Sequence, residues 1–476
     1  MKLKNKELFF FGNEFLKIEY LDKMTKERKK QIMYRSNDRI DEIKPFVSSI
    51  INEIKEKGDE ALLRYTKKFD DVKMTISEII VTKAEIKEAY KKVNENPDNK
   101  NLIRLMQDSI DCIKGYHEGE KARYLNPMKR WEKSVNAKTC NKNYEKCIVG
   151  QIYNPLNRIG IYVPGGNAVL FSTALMAITP AKVAGVKEII VASPPSRNGN
   201  IDPKIIVASD LAGADLIIKA GGAQAIAALA CGTKTIPKVD KIFGPGNIYV
   251  TAAKSYVLSK GICAIDFIAG PSEIFVVADK NANYKYIARD MISQAEHDSN
   301  ACAILLTDSE DMAKKVRNFI INILKAAIKK DDLAVVATNS LTRYGAIIKV
   351  KDINEAIAFS NEFAPEHLEI MTEKPRTWLD RIRNAGTICL GMFTPVAISD
   401  YVCPNHILPT GGAARYTSGI NIEMFFKKTS FLKTEFRAMP WLSKMVVGLS
   451  KAEGLYNQHG LSVEARLSYR KRKIKK

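Results

Sequence analysis

The chain has no pair of cysteines spaced as CxxC; its eight cysteines lie apart at 112, 140, 147, 231, 263, 302, 389 and 403. That scatter supplies neither a cysteine zinc site nor a disulfide framework, and reduced thiols in a cytoplasmic protein are the plainer reading. Nor is there an uninterrupted apolar run of the roughly eighteen residues that a membrane span needs. The best stretch, "AVLFSTALMAITPAKVAGV" (168–186), is broken by Pro180 and Lys182. The start, "MKLKNKELFFFGNEF", is basic with a short apolar patch, but acidic residues flank it and no small-residue cleavage site comes after it, so no signal peptide is expected. Histidine is scarce too, at five in 476 residues, so each one is a candidate worth weighing.

What is present fits a soluble globular protein: 46% of residues are hydrophobic and 27% charged, with length for roughly two to four domains. The net charge is +21, of which the tail "YRKRKIKK" (469–476) carries six. No helix-turn-helix signature or aromatic-laced basic patch accompanies that charge, so nucleic acid is not expected as a partner. A lysine-rich bias that also attracts anionic ligands such as a dinucleotide accounts for it.

The first ~35 residues read as a charged extension without clear periodicity. From Ser36 the pattern is helical: Val47, Ile50, Ile51 and Ile54 recur at i, i+3, i+4 and i+7, Gly58 offers a stop, and Asp59 can cap the next helix, "EALLRYTKKF". A further helical stretch runs to about His117, and 118–150 reads as loops and short strands. From 158 short β-rich runs ("RIGIYVPGG", "EIIVASPP", "DLIIKAGGAQA", "KIFGPGN") alternate with Ala-rich helical stretches, which predicts βαβ units and a parallel sheet. A second series begins at "SEIFVVAD" and continues through "ACAILLTD", "LAVVATN" and "GTICLG", with an irregular end from about 423.

In open α/β sheets ligands gather at the carboxyl ends of strands, where glycine turns let them approach the backbone. Such turns occur at Gly165–Gly166, Gly221–Gly222, Gly244–Gly246 and Gly270. "KIFGPGNIYVTAAK" holds half of a dinucleotide fingerprint, without the third glycine and without an acidic residue spaced to meet a ribose hydroxyl. Plain structural turns are an equal reading, and spacing alone supports no more than a Rossmann-like fold with an atypical nucleotide mode.

"RDMISQAEHDSN" (289–300) reads as a helix with Ile287, Met291 and Ala295 on one stripe and with Gln294 and His297, at i and i+3, on one face. A lone helical histidine is more often a hydrogen-bonded residue than a metal ligand, and glutamine is a poor zinc ligand. "SDYVCPNHILPTGGAARYTSG" (399–419) places Asp400 and His406 in a turn-rich loop, and "KAEGLYNQHG" (451–460) brings Glu453 and His459, for which a charged surface helix is the bland account. In "NEFAPEHLEIMTE" (361–373), Glu366 and His367 follow a helix-breaking Pro365. Four of the five histidines thus sit near a carboxylate or amide: His297, His367, His406 and His459. Together they suit a zinc ion with mixed nitrogen and oxygen ligands, with bases to spare for proton transfer.

"GIYVPGG", "PAKVAGVKEIIVASPP", "GGAQAIAALACGT", "KVDKIFGPGNIYVTAAK", "IDFIAGPSE", "SQAEHD", "NEFAPEHLEIMTE", "RNAGTICLG" and "NHILPTGGAARYTSG", in this order over residues 36–467, resemble the histidinol dehydrogenase family. The resemblance implies oxidation of L-histidinol to L-histidine through the aldehyde, two NAD reduced in turn, one zinc per subunit and a place at the end of histidine biosynthesis. It implies His367 as the base for alcohol oxidation and Glu366 as the residue that activates water. It implies Gln294, His297, Asp400 and His459 as zinc ligands, Ser272, His406 and Glu453 as substrate contacts, and Tyr162, Gln224 and Asn247 as NAD contacts. His117 matches no catalytic position. The implied fold is two tandem, incomplete Rossmann-like α/β domains with small terminal extensions that pack across a homodimer. The segments would be 1–35 as N-terminal extension, 36–158 plus 271–422 as the domain with most catalytic and metal residues, 159–270 as the domain meeting NAD, and 423–476 as a dimerisation segment with a basic tail. The partner's C-terminal segment would then complete each site.

The sequence departs from the family pattern twice. The stretch from Asp400 to His406 is one residue shorter than "GDYxxxxNH", and that from Glu453 to His459 one residue longer than "EGLxxH". Surface loops absorb such changes, but a one-residue shift can also re-aim a ligand. Two alternatives arise: a related NAD-dependent dehydrogenase of another polar alcohol, and a site-degraded paralogue kept as a binding protein.

Overall fold

The computed structural model describes residues 14–33, 38–124, 130–135, 147–165, 169–268, 270–328 and 331–473. Residues 1–13 of the expected N-terminal extension, Gly166 and the last residues of the basic tail lie outside them. The chain divides into two compact units, residues 1–118 with 157–424, and residues 119–156 with 425–476. No described helix is long and apolar enough to cross a membrane.

The larger unit contains two parallel sheets. Their strands are β1 (Ile18–Tyr20), β2 (Arg158–Tyr162), β3 (Glu188–Ser193), β4 (Leu216–Lys219), β5 (Lys241–Phe243), β6 (Ala264–Ile265), β7 (Glu273–Ala278), β8 (Cys302–Thr307), β9 (Ala346–Lys349), β10 (His367–Met371) and β11 (Thr387–Leu390). One sheet runs β4–β3–β2–β5–β6 and the other β1–β9–β8–β7–β10–β11. Setting β1 aside, both follow the order third, second, first, fourth, fifth, so each has a switch point beside its first strand, between β2 and β5 and between β7 and β10. The expected parallel α/β organisation is therefore present.

The second sheet is buried on both faces, which is why its strands read as continuous apolar runs. Ile274, Val276, Leu305, Ile347 and Met371 pack on one side. Phe275, Val277, Ile304, Leu306, Ile348, Leu368 and Ile370 pack on the other. Six helices carry or support the candidate residues: α1 (Asp59–Asp70), α2 (Phe171–Ala184), α3 (Gly222–Cys231), α4 (Ile248–Ser259), α5 (Tyr284–Ala295) and α6 (Val396–Tyr401). On α5 the predicted stripe of Ile287, Met291 and Ala295 is buried.

Three expectations are corrected. "LAVVATN" is not a strand but part of the helix Asp332–Tyr344. Asp331 caps it by accepting the Leu333 N–H at 2.9 Å, and Ala334, Ala337 and Leu341 form its buried face at helical spacing. The two valines raise strand propensity, but capping and burial override it. The strand instead comes next, at Ala346–Lys349, in register with both β8 and β1. That pairing gives the N-terminal segment a place in the sheet, although its periodicity is too short to read. Finally, the end of the chain is regular. In the smaller unit Phe426–Thr434 and Arg130–Val135 flank Cys147–Pro155 in an antiparallel sheet, and helices Met439–Ala452 and Leu461–Lys473 come after it.

Candidate active site

Glu366 and His367 enter the core at the start of β10. The preceding helix, Ile353–Phe363, is closed by Ala364 in the left-handed region at φ 60°, a conformation that costs a residue with a Cβ roughly 1–2 kcal/mol. Pro365 then turns the chain into the strand. Both side chains are buried, 6% and 4% exposed.

One glutamate organises them. The Glu273 N–H donates to Glu366 Oε2 at 2.7 Å, and the Glu273 carbonyl lies 3.0 Å from His367 Nδ1. The Glu273 carboxylate accepts in turn from the Glu366 N–H at 3.3 Å and the Gly411 N–H at 3.1 Å. A carbonyl only accepts, so Nδ1 carries the proton and Nε2 is the basic nitrogen. His367 Nε2 is buried with no hydrogen-bond partner among the described residues. Burial pushes this imidazole down to about 3, and His297 and His406 push the same way against the raising effect of the Glu273 carbonyl. The ring is neutral at physiological pH and offers one unspent lone pair.

His406 is oriented similarly. Its Nδ1 lies 3.0 Å from the Asp400 carbonyl, and its Nε2 lies 3.5 Å from the Thr173 hydroxyl of α2. Burial lowers it to about 4, with His297 acting in the same direction. The loop is anchored beside it, where the Asn405 amide donates to the Met176 carbonyl at 2.8 Å. Thus His297, His367 and His406, distant in sequence, share one neighbourhood.

Gln294 is buried near the end of α5, and His297 stands one turn later. His297 is exposed as a residue, yet the protein around its ring lowers its pKa by desolvation. Asp400 on α6 is half-buried and pushed up to about 6 by burial alone. Asp400 and His297 are each desolvated without a charged partner, and with the Gln294 amide they are the residue types that a zinc site of mixed nitrogen and oxygen ligands uses. Among the described residues no three His, Cys, Asp or Glu side chains stand grouped as a metal site. Ser272 precedes β7, its carbonyl accepting from the Cys302 N–H at 2.9 Å. Glu453 and His459 lie in the smaller unit and are exposed, Glu453 capping the helix Met439–Ala452 and His459 in a single π-turn, Tyr456–Gly460.

The expected cofactor contacts gather around the first sheet. Tyr162 ends β2, and its hydroxyl accepts the Gly222 N–H at 3.1 Å. Gln224, buried in α3, donates to Asp70 Oδ2 at 3.3 Å. Asn247 is exposed and caps α4, accepting from the N–H groups of Tyr249 and Val250 at 3.0 and 3.1 Å. Between them Gly244 has φ 109°, and a Cβ there would collide with the Tyr162 carbonyl oxygen. Lys254 and Asp266, a buried pair 2.5 Å apart, fix this turn. Asp266 Oδ2 accepts the Gly244 N–H at 2.8 Å, and Lys254 donates to the Gly244 carbonyl at 2.8 Å.

Sequence reasoning missed Glu273, Thr173, Asp70, Lys254 and Asp266. For Glu273 a signal existed: a carboxylate opening the otherwise apolar strand "EIFVVA" demands buried partners.

Comparison with known proteins agrees with the geometry. The family profile described as histidinol dehydrogenase matches residues 33–467. Histidinol dehydrogenase of Methanocaldococcus jannaschii is 41% identical over 451 residues, covering 94% of this chain and 98% of that protein. The Bacillus cereus protein of the same name is 44% identical over 421 residues, covering 88% and 91%. The crystal structure of histidinol dehydrogenase from Elizabethkingia anophelis superposes with a TM-score of 0.83 at 36% identity, covering 94% of this chain and 96% of that one. The chain belongs to the histidinol dehydrogenase family of NAD-dependent oxidoreductases.

Proposed function

We propose that this protein carries out the four-electron oxidation of L-histidinol to L-histidine through L-histidinal, at the end of histidine biosynthesis in the cytoplasm. The observation that carries this reading is the buried, unpartnered Nε2 of His367 beside the Glu366 carboxylate. When bound, zinc would supply a Lewis acid for the substrate oxygen and NAD the acceptor for each of two hydrides.

His367 Nε2 takes the hydroxyl proton as the alcohol carbon is oxidised, the Glu273 carbonyl stabilising the imidazolium through Nδ1–H. Glu366 takes a proton from the water that adds to the aldehyde, so that the hydrate can be oxidised in the second half-reaction. Burial keeps the aldehyde from bulk solvent between the two steps. Gln294, His297, Asp400 and His459 would hold one zinc per subunit. Ser272, His406 and Glu453 would hold the substrate's imidazole and ammonium, and Tyr162, Gln224 and Asn247 the NAD.

This reading assigns tandem Rossmann-like domains to 159–270 and to 36–158 plus 271–422. It assigns 423–476 to a homodimer contact through which Glu453 and His459 serve the partner's site. The test is NADH formation from L-histidinol by metal-stripped protein, with and without added zinc. Two NADH per histidinol on zinc addition is the expected result. Zinc binding without turnover overturns the substrate, and failure to bind zinc overturns the metal site.

A further inference from the structure

Glu369 is 1% exposed, in a strand whose neighbours are apolar, and neither proton transfer proposed for Glu366 and His367 uses it. It lies two residues beyond His367 on β10, so both side chains leave the same face of the sheet. Its cross-strand partners are Val276 and Cys389. Glu369 Oε1 accepts the Val396 N–H at 2.9 Å. Val396 is the first residue of α6, and Asp400 lies one turn further on. The same carboxyl group meets the carboxyl of Asp290 on α5. Asp290 and Gln294 are spaced i and i+4 on one face of α5, and His297 comes just after the helix ends.

Two carboxyl groups hydrogen-bond only if one keeps its proton. Burial raises Glu369 well above the carboxylate range, and the nearby Asp290 adds to the effect. Asp290 is itself pushed up to about 6 by burial, while the hydrogen bond from Glu369 holds it down. A neutral Glu369 can therefore serve two neighbours at once: Oε1 accepts from Val396, and the carboxyl shares its proton with Asp290.

We propose that Glu369 is a positioning residue that fixes the strand of His367, the helix that carries Gln294 and ends just before His297, and the helix of Asp400 at one point. The proposal rests on the functional reading of those elements. One side chain bridges three segments that are separate in sequence, each delivering at least one group to the site. The Glu273 carboxylate does the same for the Glu366 backbone and the Gly411 loop. Glu369 lies one step deeper and sets the metal-side elements.

The test uses full-length Glu369→Gln and Glu369→Leu. Glutamine keeps both roles, accepting through Oε1 and donating through Nε2; leucine keeps volume and loses both. In metal-free protein the expected result is faster amide exchange at Val396 and through α6 in Glu369→Leu, at a thermal midpoint close to wild type. Zinc affinity, measured by competition with a chromogenic chelator, should fall roughly ten- to a hundred-fold. Glu369→Gln should match wild type within about threefold in exchange, zinc affinity and kcat. Unchanged exchange and zinc affinity in Glu369→Leu overturn the proposal, as does a glutamine variant as impaired as the leucine one. If the leucine variant does not fold, Asp290→Asn tests the same bond, and loss of Val396 protection there would also overturn it. Wild-type protein that neither binds zinc nor oxidises histidinol would instead overturn the functional reading and leave the exchange result to judge Glu369.

Discussion

In the sheet β4–β3–β2–β5–β6, the residues proposed to meet the dinucleotide lie at the carboxyl ends of the strands: Tyr162 ends β2, and Asn247 caps α4 after the Gly244 turn that comes directly after β5. In the sheet that shares this order, the residues proposed for substrate contact and proton transfer stand at the amino ends: Ser272 precedes β7, and Glu366 and His367 open β10. One topology thus supplies ligands from opposite edges, and the His406–Thr173 contact ties the loop after α6 to the first sheet's α2. The means of holding the backbone differ as well. Around Gly244 a lysine and an aspartate are paired and buried. Around His367 the fixed groups are carboxyls, Glu273 and the Glu369–Asp290 pair, with no cation among the causes of the latter's shifts. A neutralised ion pair suits a turn that only has to keep its shape. A cation-poor cluster of carboxyl and neutral imidazole groups suits a place that receives a metal cation and protons.

The largest effect expected from disrupting this contrast is at His367. His367→Asn keeps a donor toward the Glu273 carbonyl but removes the basic nitrogen, so kcat should fall about 10²- to 10⁴-fold with the fold intact. Steady-state rates alongside circular dichroism check it; a variant retaining more than a tenth of wild-type kcat would remove His367 from the base role.

The same variant reports on pH. His367 titrates near 6.5 when unfolded and at about 3 when folded. Below pH 6.5 the unfolded chain therefore binds the proton that the folded chain refuses, and stability is lost as pH falls from 6.5 toward 3. Measured as urea midpoints of metal-free protein, wild type should lose ground relative to His367→Asn between pH 7.5 and pH 5. A constant gap between the two would mean that folding does not lower the imidazole's pKa.

On the other sheet, Lys254→Met leaves Asp266 buried beside the Gly244 turn without its cation. The expected cost is about 3–5 kcal/mol, read from denaturant unfolding. A loss under about 1 kcal/mol would mean that Asp266 tolerates burial as a neutral acid, as Glu369 does, and the contrast between the sheets would fail.

Much of this was legible before the fold. The glycine turns, the β-rich runs and the Gln294–His297 spacing are local patterns, and local patterns survive folding. The trap lay in "LAVVATN", where the β-branched Val335 and Val336 sit inside a capped helix whose burial only the fold reveals. The buried carboxyls were half legible. "EIFVVA" and "HLEIM" each place a glutamate in an apolar strand, which announces a buried acid but cannot name its partner. Glu273 finds Gly411 and Glu369 finds Val396 across 138 and 27 residues. Such pairings depend on strand order and register, and no spacing rule in the sequence encodes those.

Two glycines probe the two sheet edges with the smallest change, one methyl group each. A Cβ on Gly386 would come within 2.6 Å of the Glu366 carbonyl oxygen and 3.3 Å of Leu408. The backbone on either side is already committed, since the Gly386 N–H donates to the Pro365 carbonyl and the Thr387 N–H to the Glu366 carbonyl, both at 2.9 Å. Gly386→Ala must therefore displace the segment that carries Glu366 and His367. The expected result is a kcat lowered about tenfold with little change in KM for NAD, because a displacement well under about 1 Å already degrades proton transfer. Gly244→Ala should do the reverse, raising KM for NAD through the Tyr162 collision while disturbing kcat less. Gly115→Ala, where nothing lies within 4 Å, is the control and should leave both constants unchanged. If Gly386→Ala and Gly244→Ala gave the same kinetic signature, the division of labour between the two sheet edges would be lost, and both turns would serve only the stability of the fold.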